Sequence, residues 1–228
     1  LALTKSFRAN NEKIVLKYDQ EYFDIDGEFE TDKNKINIRI YYSERENKNV
    51  FYNGSRIKRF SEIVGVIPVI LLSLEDLDIS YGIPAKRRRF LDILLSQINP
   101  LYLQALQIYK KSLQNRNRLL KDIKDGNASK NTLFPWDSQL CEKGSYIIRS
   151  RQLFVEFLNE RLSEYYDHIA EKNDTISTVY KSAVWSKAEN LENKALEQSY
   201  EKMLQNSLER DIDFQTTHYG PHREDLEF

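Results

Sequence analysis

Two periods of hydrophobicity divide the chain. Over residues 1 to about 72, apolar side chains recur at every second position: Ile14, Leu16 and Tyr18, then Ile36, Ile38, Ile40 and Tyr42. That spacing predicts strands with one buried face. Asp26-Gly27 between them reads as a turn, and Val50 and Tyr52 lead into Asn53-Gly54, whose easy access to positive φ favours a tight hairpin. Ser61 to Val64 suits one helical turn before Gly65. The apolar run Val66 to Leu72 has the length and type of a buried strand.

From Pro84 the period becomes helical. Tyr102, Leu106, Tyr109, Leu113 and Leu120 share one face of a helix predicted to run to about Lys124. Residues 125–134 are polar and loop-like, and Pro135 suits the first turn of the next helix. Ile147, Phe154, Leu158, Leu162, Tyr165 and Ile169 mark a second long amphipathic helix. Ile176 to Val184 is β-branched enough for a short strand, and Leu196, Tyr200, Met203, Leu204 and Leu208 define a last helix. Alternation returns at Ile212, Phe214 and Thr216. A β portion, a helical excursion and a return to β make an α+β fold.

Composition narrows the class. The 228 residues are 40% apolar and 30% charged, with Lys+Arg 34 against Asp+Glu 35. That excludes a disordered segment and a uniformly basic nucleic-acid tail, and leaves DNA binding to a segregated basic face. Cys141 is alone, which excludes a disulfide framework and a thiolate metal site and suits a reducing, cytoplasmic setting. No apolar run reaches the roughly 20 residues that span a bilayer, so no membrane role is expected. Met203 is the only methionine, and the chain stops at Phe228 on an apparent strand. An internal piece of a longer protein is therefore expected.

Candidate chemistry gathers in two places. Glu75 and Asp76 are adjacent carboxylates, suited to a hard cation or, at Asp76 or Ser73, to capping a helix. Pro84 opens a helix whose first turn carries Arg87, Arg88 and Arg89. Cations oppose the helix dipole there. Either their guanidinium forks bind phosphate or they pair internally with Asp92 and Glu75. Near the other end, Gly220-Pro221 separates His218 from His222 and forbids a helical metal-binding pair. His222, Arg223 and Asp225 read as a polar loop at the surface, or one fixed by an Arg223–Asp225 bond. The fourteen tyrosines do not cluster as a base-stacking platform, and core packing is their default role. Thr4-Lys5-Ser6 lacks the glycines of a phosphate-binding loop, and no G-x-x-x-x-G-K-[ST] occurs anywhere in the sequence.

The order of these residues resembles a known family. Glu75-Asp76-Leu77, followed by Gly82-x-Pro84-x-x-Arg87-Arg88-x-Phe90-Leu91-Asp92, is similar to the first signature of the RecF family, bacterial recombination-mediator ATPases with SMC-like heads. Thr216-Thr217-His218-Tyr219-Gly220-Pro221-His222-Arg223-Glu224-Asp225-Leu226-Glu227-Phe228 resembles the family's second, and Lys5-Ser6-Phe7-Arg8 its opening segment. Leu74 stands where the family usually has Pro, and Glu224 where it usually has Asp. The resemblance implies part of an ABC-type ATPase head: residues 1–74 as the β-rich part of lobe I, 75–209 as a helical lobe II, and 210–228 as return strands to lobe I. It implies that Arg8, Glu75 and Asp76 lie on the nucleotide side. Arg87, Arg88, Arg89, His222, Arg223 and Asp225 are then candidates for DNA or the dimer interface. No metal ligand and no catalytic residue is assigned within this piece.

The parent would use ATP and Mg2+ as a weak DNA-dependent ATPase. The piece itself, lacking the phosphate loop and the ATPase signature, is expected to bind neither and to be inactive. Single-stranded or gapped DNA, RecO and RecR, and a second ATPase head are the implied partners. Recombinase loading at gaps, replication and the SOS response are the implied roles. The alternative is a non-enzymatic helical protein-interaction module on an ATPase-head-like scaffold.

Overall fold

The computed structural model describes residues 1–6, 9, 11–31, 34–71, 73–168, 175–187 and 192–228, with Leu74 and Glu75 described by backbone alone. Contacts divide the chain into two units, Leu1–Leu71 and Leu72–Phe228.

The first unit is a four-stranded antiparallel meander of β1 (Tyr22–Glu30), β2 (Lys35–Ser43), β3 (Asn47–Tyr52) and β4 (Ser55–Arg56). The alternating isoleucines behave as expected: Ile36, Ile38 and Ile40 are buried together with Val50 and Ile63. Asn53 and Gly54 both take positive φ, 47° and 78°, as a two-residue hairpin turn requires. Three expectations fail here. Asp26-Gly27 is no turn; it lies within β1, opposite Arg39 and Ile38. Its polar side chains find partners across the strands, since Asn37 Nδ2 donates to Asp26 at 2.6 Å and Arg39 Nε to Asp24 at 2.9 Å.

Ile14 to Tyr18 is not a strand either. A 3-10 turn spans Glu12–Val15, started by Asn11, whose side chain accepts from the Lys13 amide. Ile14 is 71% and Tyr18 95% exposed. The run from Val66 forms no strand: Val66 and Ile67 pack on the sheet core, but Ile70 is 85% exposed. Pro68 has no N–H for a ladder. Leu72 lies outside the described residues.

The second unit is mainly helical. It contains α1 (Asp78–Tyr81), α2 (Pro84–Ile98), α3 (Pro100–Lys124), α4 (Phe134–Asp167), α5 (Asn193–Asn206) and α6 (Leu208–Phe214). Strands β5 (Val179–Lys181) and β6 (Asp225–Glu227) pair antiparallel. The helical stretch from Pro84 to Lys124 is two helices, with the expected start at Pro84 and end at Lys124. Asn99 breaks it: its backbone is extended and its side chain accepts from the amides of Leu101 and Tyr102 at 3.0 and 3.2 Å. Pro100 then begins α3, where its missing N–H costs nothing. Leu91, Leu95, Tyr102, Leu106, Tyr109, Leu140, Ile147, Ile148, Leu196 and Tyr200 share one core.

The return strand expected at Ile212, Phe214 and Thr216 is replaced by α6. Leu208 and Ile212, four apart, pack on Leu120 and Leu133, while Phe214 is 68% exposed. Three alternating positions did not distinguish a strand from one helical turn. Strand geometry in 210–228 is confined to β6.

Candidate functional site

The site forms where the first turn of α2 meets β6. Arg87 forks onto Asp225, Nε to Oδ1 at 2.8 Å and Nη2 to Oδ2 at 2.7 Å, and its Nη1 donates to the Gly82 carbonyl at 2.7 Å. Burial pushes the Asp225 carboxyl upward in pKa, but the Arg87 bonds outweigh it and the net shift is downward. This pair relieves part of the conflict of cations at a helix start: a carboxylate from the far end of the sequence offsets one of the three arginine charges. Arg88 Nη1 donates to the Glu224 carbonyl at 2.7 Å. Arg89 is exposed and has no hydrogen-bond or ion-pair partner among the described residues. Asp92, one internal partner expected for this triplet, is not the one Arg87 and Arg88 use; the side chain of Glu75, the other, lies outside the described residues.

Behind this clasp lies a buried polar layer. Glu224 is 4% exposed, and its carboxylate accepts from the hydroxyls of Tyr180 and Ser182. Burial raises its pKa above the ordinary range. Arg151 on α4 is 2% exposed and uses four of its five N–H donors. Its Nε donates to Tyr102 Oη at 3.1 Å, and Nη1 to Tyr180 Oη at 3.2 Å and to the Pro221 carbonyl at 2.8 Å. Nη2 donates to Asp92 Oδ1 at 2.8 Å. Arg116 on α3 is a second such centre, reaching Asp137 at 2.6 Å, Asp211 at 2.7 Å and Thr217 Oγ1 at 2.9 Å.

His222 is fixed inside the same layer. Its Nε2 lies 3.0 Å from the Thr217 carbonyl, which can only accept, so Nε2 carries the proton. Nδ1 then accepts from the Tyr109 hydroxyl at 2.6 Å. Burial lowers the His222 pKa to about 4, so the ring is neutral near pH 7. Between about 6.5 and this value the unfolded chain binds a proton that the folded one does not, and stability falls as pH falls through that window. His222→Gln should flatten this part of a stability–pH curve measured by denaturant titration; an unchanged slope would show that His222 does not titrate there. Arg223 does not bond Asp225 as expected. It donates to the Thr217 carbonyl at 3.1 Å and to Thr216 Oγ1 at 3.0 Å and remains exposed.

The carboxylate pair gives less. Asp76 Oδ2 accepts from the Ser73 amide at 2.6 Å and its hydroxyl at 3.0 Å, the local capping role. Arg8 and the side chain of Glu75 lie outside the described residues. Among the described residues no group of three His, Cys, Asp or Glu side chains is placed to hold a metal ion. Sequence reasoning missed Arg116, Arg151, Tyr180, Ser182 and Asp211. A signal was present for two of them: Arg116 lies between Ser112 and Leu120, and Arg151 between Ile147 and Val155, on the apolar stripes of their helices.

No family model matches the chain. Among curated proteins it is 34% identical over 227 residues to the DNA replication and repair protein RecF of Lachnoclostridium phytofermentans, covering 100% of the chain and 60% of the relative. It is 32% identical over 234 residues to that of Salinibacter ruber (100% and 56%). To that of Chloroherpeton thalassium it is 34% identical over 233 residues (99% and 62%). Among solved structures, the recombination mediator protein RecF of the RecFOR pathway matches with ATPrS at TM-score 0.90 and 32% identity, over 98% of this chain and 60% of that one. The ATP form matches at TM-score 0.90 and 31% identity, over 99% and 60%. The α+β fold is thus part of an ABC-type ATPase head. Over its whole length the chain is similar in sequence and in fold to RecF proteins, of whose length it spans about 60%.

Proposed function

We propose that the chain is the central part of a RecF-like DNA repair protein. That protein binds ATP and single-stranded or gapped DNA, and ATP closes it into a homodimer of heads. With RecO and RecR it helps load recombinase at gaps, serving recombinational repair, replication and the SOS response in the cytoplasm. Residues 1–74 contribute to lobe I, 75–209 form lobe II and 210–228 return to lobe I. ATP and Mg2+ are held by the parent's remaining length, with Arg8 and Glu75 on the nucleotide side.

One observation carries the reading. The two segments that resemble the family, Gly82–Asp92 and Thr216–Phe228, are halves of a single structure, joined through Arg87–Asp225 and Arg88–Glu224, and through Arg151 of α4, which donates to both Asp92 and Pro221. Residues that looked like ligands for DNA are therefore partly the mortar of the head. Arg89 and Arg223 keep an exposed guanidinium for DNA or the second head.

The test uses the full-length protein. Light scattering should show a dimer with ATP and a monomer with ADP, because only differential affinity for two states shifts their populations. Binding to a gapped duplex should weaken steeply with salt. A monomer under both nucleotides, with no DNA binding, would overturn this reading in favour of a protein-interaction module.

A further inference from the structure

The outward face of α3 has an unusual composition. From Gln104 to Lys124 its exposed residues are Gln104, Gln107, Lys110, Lys111, Gln114, Arg118, Lys121 and Lys124. Every one is a glutamine or a cation; none is acidic. Positions 104, 107, 111, 114, 118 and 121 repeat at three and four residues, so they form one stripe along the helix. From Gln104 to Lys121 the stripe runs about 26 Å at 1.5 Å per residue.

Solubility alone does not explain this face. Helices that serve solubility interleave acids with bases, as α5 does with Lys194, Glu201 and Lys202. In a chain whose charges nearly cancel, 34 against 35, a face of one sign is segregated charge. Lys111, Arg118 and Lys121 have no ion-pair or hydrogen-bond partner among the described residues. Lys110 touches Asp92 only at 3.5 Å, and Lys124 donates to the uncharged Asp213 carbonyl. Two further exposed cations flank the stripe. Thr217, whose carbonyl accepts from Arg223, is itself bonded to Asn117 of α3. Arg89 lies one turn from Asp92, the partner of Lys110.

We propose that this face of α3 is the surface that grips the phosphate backbone of DNA, with Lys111, Arg118 and Lys121 as its central contacts. Mobile lysines and arginine match phosphates without reading sequence, and the glutamine amides add uncharged donors. The clasp supports the choice, since Arg87 already spends its fork on Asp225 and a further donor on the Gly82 carbonyl. The inference rests on the DNA-binding reading above.

The experiment is a salt titration of full-length protein on a fluorescent gapped duplex. Lys111→Gln, Arg118→Gln and Lys121→Gln are combined, a change that keeps helix propensity and leaves the core untouched. Affinity near 0.1 M salt should fall by about 10-fold or more. The slope of log affinity against log salt should shrink by roughly 0.9 per lost phosphate contact. Lys194→Gln with Lys202→Gln on α5 is the control and should leave both unchanged. ATP-driven dimerisation should survive in every variant. A triple variant that binds DNA with the parent's affinity and slope would sink the assignment to α3 while the parent function stands. A wild-type protein with no DNA affinity would sink both.

Discussion

Arg151→Ala is expected to cost the second unit about 3–5 kcal/mol, the range for removing one partner of a buried charge pair. The guanidinium is almost wholly buried and serves four acceptors on three parts of the chain: Asp92, the hydroxyls of Tyr102 and Tyr180, and the Pro221 carbonyl. Truncation leaves Asp92 with the Tyr102 hydroxyl and a distant Lys110, and leaves the Pro221 carbonyl without this donor. Arg151→Met separates the two contributions, because it restores most of the volume and none of the hydrogen bonds. Both variants should shift the denaturant midpoint strongly without changing the slope of the transition. A loss below about 1 kcal/mol in the alanine variant, the scale of an exposed pair, would show that the polar layer is replaceable.

Gly220→Ala should be nearly as damaging, for a steric reason. Gly220 sits at φ +122°, and a Cβ there would lie 1.9 Å from the Tyr200 hydroxyl oxygen and 2.5 Å from that of Tyr109. Neither ring can retreat, since both are buried in the core and their hydroxyls are committed to the Tyr219 carbonyl and His222. Backbone strain and overpacking together predict about 3 kcal/mol. Adding Tyr200→Phe removes the closest atom and should recover part of the loss, a coupling readable in a double-mutant cycle. Gly126→Ala offers the contrast. It also has positive φ but nothing within 4 Å, so only the backbone term of about 1 kcal/mol remains.

What the sequence made legible was what neighbours along the chain decide. The Asn53-Gly54 hairpin, the Pro84 helix start and the buried face of α3 follow from turn chemistry and a period of 3.6, both complete within a few residues. The misread segments had local signals too weak to choose. Three alternating apolar residues fit Ile14–Tyr18 and Ile212–Thr216 equally well as strand or turn, and Asp26-Gly27 resembles a turn until Asn37 and Arg39 are placed across from it. The site was half legible. Its motifs stood out as conflicts, three arginines at a helix start and a histidine beside Gly-Pro, yet proximity in sequence offered Asp92 and Glu75 as partners. Asp225 was hidden by distance along the chain alone.

That distance has a consequence for how the unit assembles. Arg87 and Asp225 are 138 residues apart, and closing so long a flexible loop costs on the order of 4 kcal/mol in chain entropy. Contacts within α2 to α5 close far shorter loops and so form earlier. The ion pair at the mouth of the excursion is then expected to close late, as a latch over helices already packed together.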